Sequence, residues 1–199
     1  MKFKHKKIFH ALLFFFVMSG IFFSIGNVNI MGRDYSAMVP LDYSIPLIPF
    51  FVIFYISAWA FYLIPFLSSK DDKELRKIMK YFYALVFINA AIFLVFPTTM
   101  PFKGEISENS MFDSAMKWVR QNDVRYNNMP SMHISLTTLS LIFLLGNKKL
   151  KMKNKIMYYA WYLLIVASVV LTKQHSFLDI PSGIALAMLV YYTPQILEK

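Results

Sequence analysis

Six apolar stretches, each bounded by charged or turn-forming residues, constrain this chain more than any other feature: residues 8–25, 45–67, 81–96, 130–145, 156–171 and 177–192. A helix needs about 20 apolar residues to cross a hydrocarbon core of about 30 Å, and these runs reach or approach that length. The first follows Lys2, Lys4, Lys6 and Lys7 and exceeds the roughly 7–15 residues of a signal peptide's apolar core, so it reads as a retained anchor. Pro46 and Pro49 stand near the start of the second, where a helix tolerates proline, and Pro97 closes the third. With 57% of the 199 residues hydrophobic and 16% charged, an ordinary soluble domain is excluded. The lack of cysteine excludes disulfides, thiolate metal sites and a cysteine nucleophile.

The net charge of +10 does not point to nucleic acid, because the basic residues fall in blocks between apolar runs, where membrane topology accounts for them. Of the 21 Lys and Arg, fifteen lie in the N-terminus, the second and fourth loops and the C-terminus, and six lie in the alternate loops. The positive-inside rule then predicts an all-α integral-membrane six-helix bundle with both termini cytoplasmic. Residues 1–44 form an N-terminal anchor and first outer loop, and residues 45–199 a membrane domain. In the longest loop, 97–129, Ser110 with Asp113 predicts a capped helix on the membrane surface, with Met111, Ala115, Trp118 and Val119 on one face.

This topology brings rare side chains together. Apart from His5 and His10, His133 and His175 are the only histidines, and Asp179 is the only acidic residue between Asp123 and Glu198. All three fall at the outer ends of their stretches. Ionisable groups so placed in a membrane protein mark a functional site. On a helix, His175 and Asp179 at i and i+4 share a face, so the carboxylate can fix the imidazole tautomer and stabilise positive charge on a ring that has attacked an electrophile. A second histidine suits a general acid, and Lys103, Lys117, Arg120, Arg125 and Lys173 on the same side suit a phosphate. A two-histidine, one-aspartate metal site is an alternative. An ion relay is disfavoured, because the polar residues sit at the ends of the stretches rather than midway.

At these residues the chain resembles the type 2 phosphatidic acid phosphatase superfamily of integral-membrane lipid phosphatases and phosphotransferases. Pro130-Ser131-Met132-His133 is similar to the PSGH motif, and Ser168, His175 and Asp179 match SRxxxxxHxxxD. Ile45-Pro46 through Pro65, Phe96-Pro97-Thr98 and Tyr126-Asn127 extend the likeness, which is nearest to the inositol phosphorylceramide synthase-like branch. Met132 stands where the motif has Gly, Val169 where it has Arg, and KxxxxxxRP has no clean match, although Lys117 and Arg125 are nearly spaced for it and Lys103 lies just past the third stretch.

The resemblance implies that His175 attacks phosphorus to form a phosphohistidine, Asp179 orients it, and His133 protonates the leaving oxygen. Ser131 would hold phosphate oxygens, and Arg125 first, then Lys173, with Lys103 and Lys117, would replace the missing clamps. It implies no metal and no cofactor. The expected partner is a lipid phosphate, diphosphate or phospholipid headgroup at the outer leaflet, and the expected location a bacterial cytoplasmic membrane with the site facing outward. A metal-binding or non-catalytic lipid-binding protein using the same residues is the competing expectation. Hydrolysis or transfer, the acceptor and the oligomeric state are not encoded in any motif.

Overall fold

A computed structural model describes residues 2–197, with side chains through residue 194. The described residues form eight α-helices: α1 (Phe3–Ile25), α2 (Pro40–Ser44), α3 (Val52–Ser68), α4 (Asp72–Val95), α5 (Met111–Asn122), α6 (Met132–Gly146), α7 (Met152–Leu171) and α8 (Asp179–Leu197). Each apolar stretch contains a helix, although residues 45–48, 130–131 and 177–178 lie outside the helices, so His175 stands in the turn before α8 rather than on a helix with Asp179. Four helical segments, Phe3–Ile25, Pro49–Ser68, Asp72–Val95 and Met152–Leu171, are long and apolar enough to cross a membrane, whereas α6 is apolar but shorter.

α6 is the hub of the bundle and packs against α3, α4, α7 and α8. Its residues from Met132 through Leu141 are all buried, so it has no lipid-facing stripe. That position permits Ser135, Thr137, Thr138 and Ser140: Ser140 donates to the Leu136 carbonyl at 2.8 Å, Thr137 to the His133 carbonyl, and Thr138 shares a hydrogen bond with Tyr162 of α7 at 3.2 Å. Ser135 meets the Asn89 amide of α4 at 3.2 Å, a polar contact inside an otherwise apolar layer. Gly183 of α8 is needed for this packing, since a Cβ there would lie 2.9 Å from both the Ile134 Cβ and the Ser131 carbonyl oxygen.

Two elements begin earlier than the apolar pattern alone predicts. α1 starts at Phe3, and its basic first turns reach the loop between α3 and α4: Lys6 pairs with Asp72 at 2.7 Å, and Lys7 donates to the Leu67 and Ser69 carbonyls. α4 starts at Asp72 rather than near 81, because the Asp71 side chain caps it by accepting from Glu74 N–H at 2.8 Å. Charged residues thus form its first turns and apolar ones its membrane part.

Outside the helices, a two-residue parallel ladder joins β1 (Tyr35–Ser36) to β2 (Thr98–Thr99), fastening the segment after α1 to the segment after α4. In α5 the Ser110 and Asp113 cap forms as expected. Its inward residues, however, are Met116 and Val119, while Met111 and Trp118 are exposed. The i, i+3 pair turns one edge of the helix into the protein and leaves Trp118 on the outer edge, where an aromatic suits a lipid boundary.

Candidate functional site

Three backbone segments converge where α6 and α8 begin. Segment 126–131 arrives from α5, held by the Met129 N–H donating to Thr98 Oγ1 at 2.6 Å and the Asn128 N–H to the Thr98 carbonyl at 3.3 Å. Ser131 then caps α6, its Oγ accepting from Ile134 N–H at 3.3 Å. Opposite, the turn from α7 folds back so that the His175 N–H reaches the Val169 carbonyl at 3.0 Å, with Lys173 at a positive φ of 56°.

α2 holds that turn in place through Asp42. Its Oδ1 accepts from Phe177 N–H at 2.7 Å, its Oδ2 accepts from Val39 N–H at 2.8 Å, and its carbonyl accepts from the Lys173 ammonium. Asp42 is 2% exposed.

Within this frame His175 is almost fully buried and bonded at both ring nitrogens. Nδ1 lies 3.2 Å from Asp179 Oδ2 and 3.1 Å from the Asn128 carbonyl, while Nε2 lies 3.2 Å from Ser131 Oγ. Two acceptors face Nδ1, so the proton belongs there, and the Nε2 lone pair points at the serine hydroxyl. Asp179 Oδ2 also accepts from Ser176 N–H at 2.9 Å, which fixes the carboxylate. His133 follows Met132 at the start of α6, its ring stacked on Tyr55 at 4.4 Å and its centroid 5.7 Å from that of His175. Its Nε2 is buried and has no hydrogen-bond partner among the described residues.

Two cavities share Asp123 as a lining residue, one reaching Asn128, whose carbonyl meets His175, and the other reaching His133. One, of about 340 Å³, is polar and lined by Lys103, Arg120, Arg125, Asp34, Asp123 and Asn128 among others. The second, of about 530 Å³, is an aromatic groove between α1, α3 and α5 that reaches His133 and Asp123. Asp123 therefore stands in the wall between them. Burial pushes its carboxyl pKa up, against the opposing pull of Lys103 at 3.7 Å and of His175.

The five cations expected on this side have separate fates. Lys103 and Arg125 line the polar cavity, Arg125 beside Asp34 at 3.6 Å. Arg120 joins them, its guanidinium donating to the Gly104 and Lys103 carbonyls. Lys117 is instead paired with Glu108 on the surface of α5. Lys173 is buried against the Asp42 carbonyl and the Phe102 ring, and burial holds its ammonium below the usual range despite the opposing charge of Asp42.

Val169, at the Arg position of the last motif, is buried in the apolar core, and Met132 is buried too, lining a small void together with His133. Among the described residues no group of three or more histidines and carboxylates lies together as a metal site, because Asp179 is turned to His175 and Ser176. Asp42, Asn128 and Asp123 escaped the sequence reading, since each acts through a backbone partner or a cavity wall that no local pattern encodes.

An apolar helical bundle with a buried His–Asp pair facing a second histidine defines a membrane-embedded class of polar-site protein. More specifically, the family model described as the PAP2 superfamily matches residues 37–193, and the chain belongs to that superfamily. No curated protein and no solved structure matches it. Members of the superfamily are generally phosphatases, so phosphatase or phosphotransferase chemistry on lipid phosphates is the activity this membership suggests.

Proposed function

We propose that this chain is a metal-independent lipid phosphatase or phosphotransferase that works on the phosphate of a membrane lipid at the outer leaflet, through a phosphohistidine on His175. The observation that carries the reading is the bonding of His175: Nδ1 held by Asp179 and the Asn128 carbonyl, Nε2 directed toward Ser131, and the second imidazole 5.7 Å away. That spacing lets one phosphoryl group touch both rings.

In the first half-reaction the Nε2 lone pair forms the N–P bond as the P–O bond to the leaving group breaks. The proton on His133 passes to the departing oxygen. Asp179 stabilises the resulting imidazolium charge, and the Ser131 hydroxyl turns from Nε2 to a phosphate oxygen. In the second half, water or a lipid alcohol gives its proton to His133 as its oxygen attacks phosphorus, and the N–P bond breaks. Lys103, Arg120 and Arg125 supply the charge for the phosphate oxygens, in place of the clamp that Val169 removes. The orientation that puts both termini in the cytoplasm is part of this proposal and rests on the distribution of Lys and Arg; a bacterial cytoplasmic membrane is also part of it and rests on the high content of Lys, Phe and Asn.

The test is turnover of purified protein on a panel of lipid phosphates and diphosphates, with and without chelator and vanadate. Activity that survives chelation, is blocked by vanadate and disappears in His175→Ala supports the reading. Full activity in His175→Ala, or its loss to chelator, overturns it.

One observation favours a second reading. Ser131, His175 and Asp179 are also aligned as nucleophile, base and orienting acid, with both links at 3.2 Å. If Ser131 is the nucleophile, the trapped phosphoenzyme is acid-stable and base-labile, whereas a phosphohistidine is acid-labile.

A further inference from the structure

The aromatic groove has no role in the chemistry described, yet its inner end is part of the site. Phe16, Ser19 and Phe23 of α1 form one wall, Tyr55 and Trp59 of α3 the floor, and Trp118 of α5 the outer lip. Phe16, Phe23 and Trp118 are exposed, and the Ser19 hydroxyl is spent on the Phe15 carbonyl at 2.7 Å, so this wall offers a ligand no free polar group there. At the inner end stand His133, whose buried Nε2 is unpartnered, and Asp123, which also lines the cationic cavity.

We propose that this groove holds one hydrocarbon chain of the lipid substrate and that α1 sets which chains are accepted. The inference rests on the function proposed above. Three observations identify a lipid chain as the occupant. The groove is continuous with the phosphate-directed histidine, so a ligand with an apolar tail and an anionic head spans both environments without a break. The cations Lys103, Arg120 and Arg125 lie beyond Asp123, at the end where an anionic head would emerge.

The third observation is length. From Phe15 to Phe23, α1 rises about 12 Å, close to the roughly 15 Å half-thickness of a hydrocarbon core. The groove therefore accommodates a chain from a single leaflet. Because the matched family region begins at residue 37, the wall built by α1 lies outside it. Chain selectivity would thus be set by a helix separate from the motif-bearing segments.

The experiment uses the full chain in lipid nanodiscs with two probes. Hexadecyl phosphate carrying a mid-chain diazirine is photolysed and the adducts mapped. Labelling concentrated on residues 15–23 and Trp118, and displaced by excess unlabelled hexadecyl phosphate, supports the proposal. Labelling that is not displaced, or that spreads equally to the exposed Phe87 and Val95 of α4, overturns it and marks the groove as bulk lipid contact.

Separately, Ser19→Trp should lower the ratio of kcat/KM for hexadecyl over hexyl phosphate about tenfold by filling the groove, while Phe87→Trp on α4 leaves that ratio within twofold. An unchanged ratio in a folded Ser19→Trp protein refutes the assignment. If the wild type turns over neither phosphate, the proposed function fails, whereas the cross-linking result still decides what occupies the groove.

Discussion

Asp42 gives the sharpest test of how the site is held, because it lies on a short helix far in sequence from either histidine. Asp42→Asn preserves the size of the side chain but replaces one acceptor oxygen with an NH₂ donor. The two carboxylate oxygens each serve a different backbone N–H, that of Val39 and that of Phe177. The amide can serve only one and must present a donor to the other. A stranded buried N–H costs about 1–3 kcal/mol, and the surviving bond loses its charge assistance, so the local penalty is about 2–4 kcal/mol.

That penalty is relieved by release of the turn containing Phe177, and His175 lies two residues away. Loosening it stretches both 3.2 Å links, to Ser131 and to Asp179. If about 2 kcal/mol of the penalty appears in the activated complex, kcat/KM on a lipid phosphate falls about 30-fold. The assay is steady-state turnover in detergent micelles beside a thermal melt, and Asp42→Glu serves as a partial rescue in charge. A folded Asp42→Asn enzyme within twofold of wild type would refute the claim that α2 positions the nucleophile.

Other perturbations follow from the same contacts. Asp179→Asn should cut kcat/KM about 10- to 100-fold, the worth of a charge-assisted hydrogen bond of about 1.5–3 kcal/mol, and trapped phosphoenzyme should fall with it. Gly183→Ala places a methyl against Ile134 and the Ser131 carbonyl, so it should destabilise the α6–α8 pair by about 1–3 kcal/mol, measured as a lower melting temperature. Because burial raises the Asp123 pKa, the folded chain holds that proton more tightly than the unfolded chain. Its stabilising share is therefore full below the ordinary carboxylate range and is lost as pH rises through the raised value. Asp123→Asn should flatten that part of a melting-temperature profile. Lys117→Ala, which breaks only the surface pair with Glu108, should leave KM within twofold, whereas Arg125→Ala should raise it several-fold.

The helices were legible because each apolar run is long and its boundaries carry proline, charge or a cap. The His175 and Asp179 pairing forms by a route other than the helical one expected from their spacing: α8 begins at Asp179, and its carboxylate reaches back across the preceding turn to Ser176 N–H and His175 Nδ1. The exposure of Trp118 was not legible, since an amphipathic pattern identifies a face but cannot say which edge of it meets lipid and which meets protein. Nor was the sorting of the cations, because Lys117, Lys173 and Arg125 differ only in what the fold sets opposite them. Asp42 looked like one acid in a turn-rich loop, and only the return of the chain after α7 gives it two backbone donors to serve.

α6 spans only Met132–Gly146, about 22 Å of helix against a hydrocarbon core of about 30 Å. Enclosed by its neighbours, it need not reach either water boundary, and cavities open at both of its ends, one beside His133 and the other beside Gly146. His133 stacks on Tyr55, three residues into α3, so the two imidazoles stand about one helical turn below the start of that longer helix. Under the function proposed above, a lipid phosphate would have to descend by about that distance to reach them, and a thinner bilayer would shorten the descent.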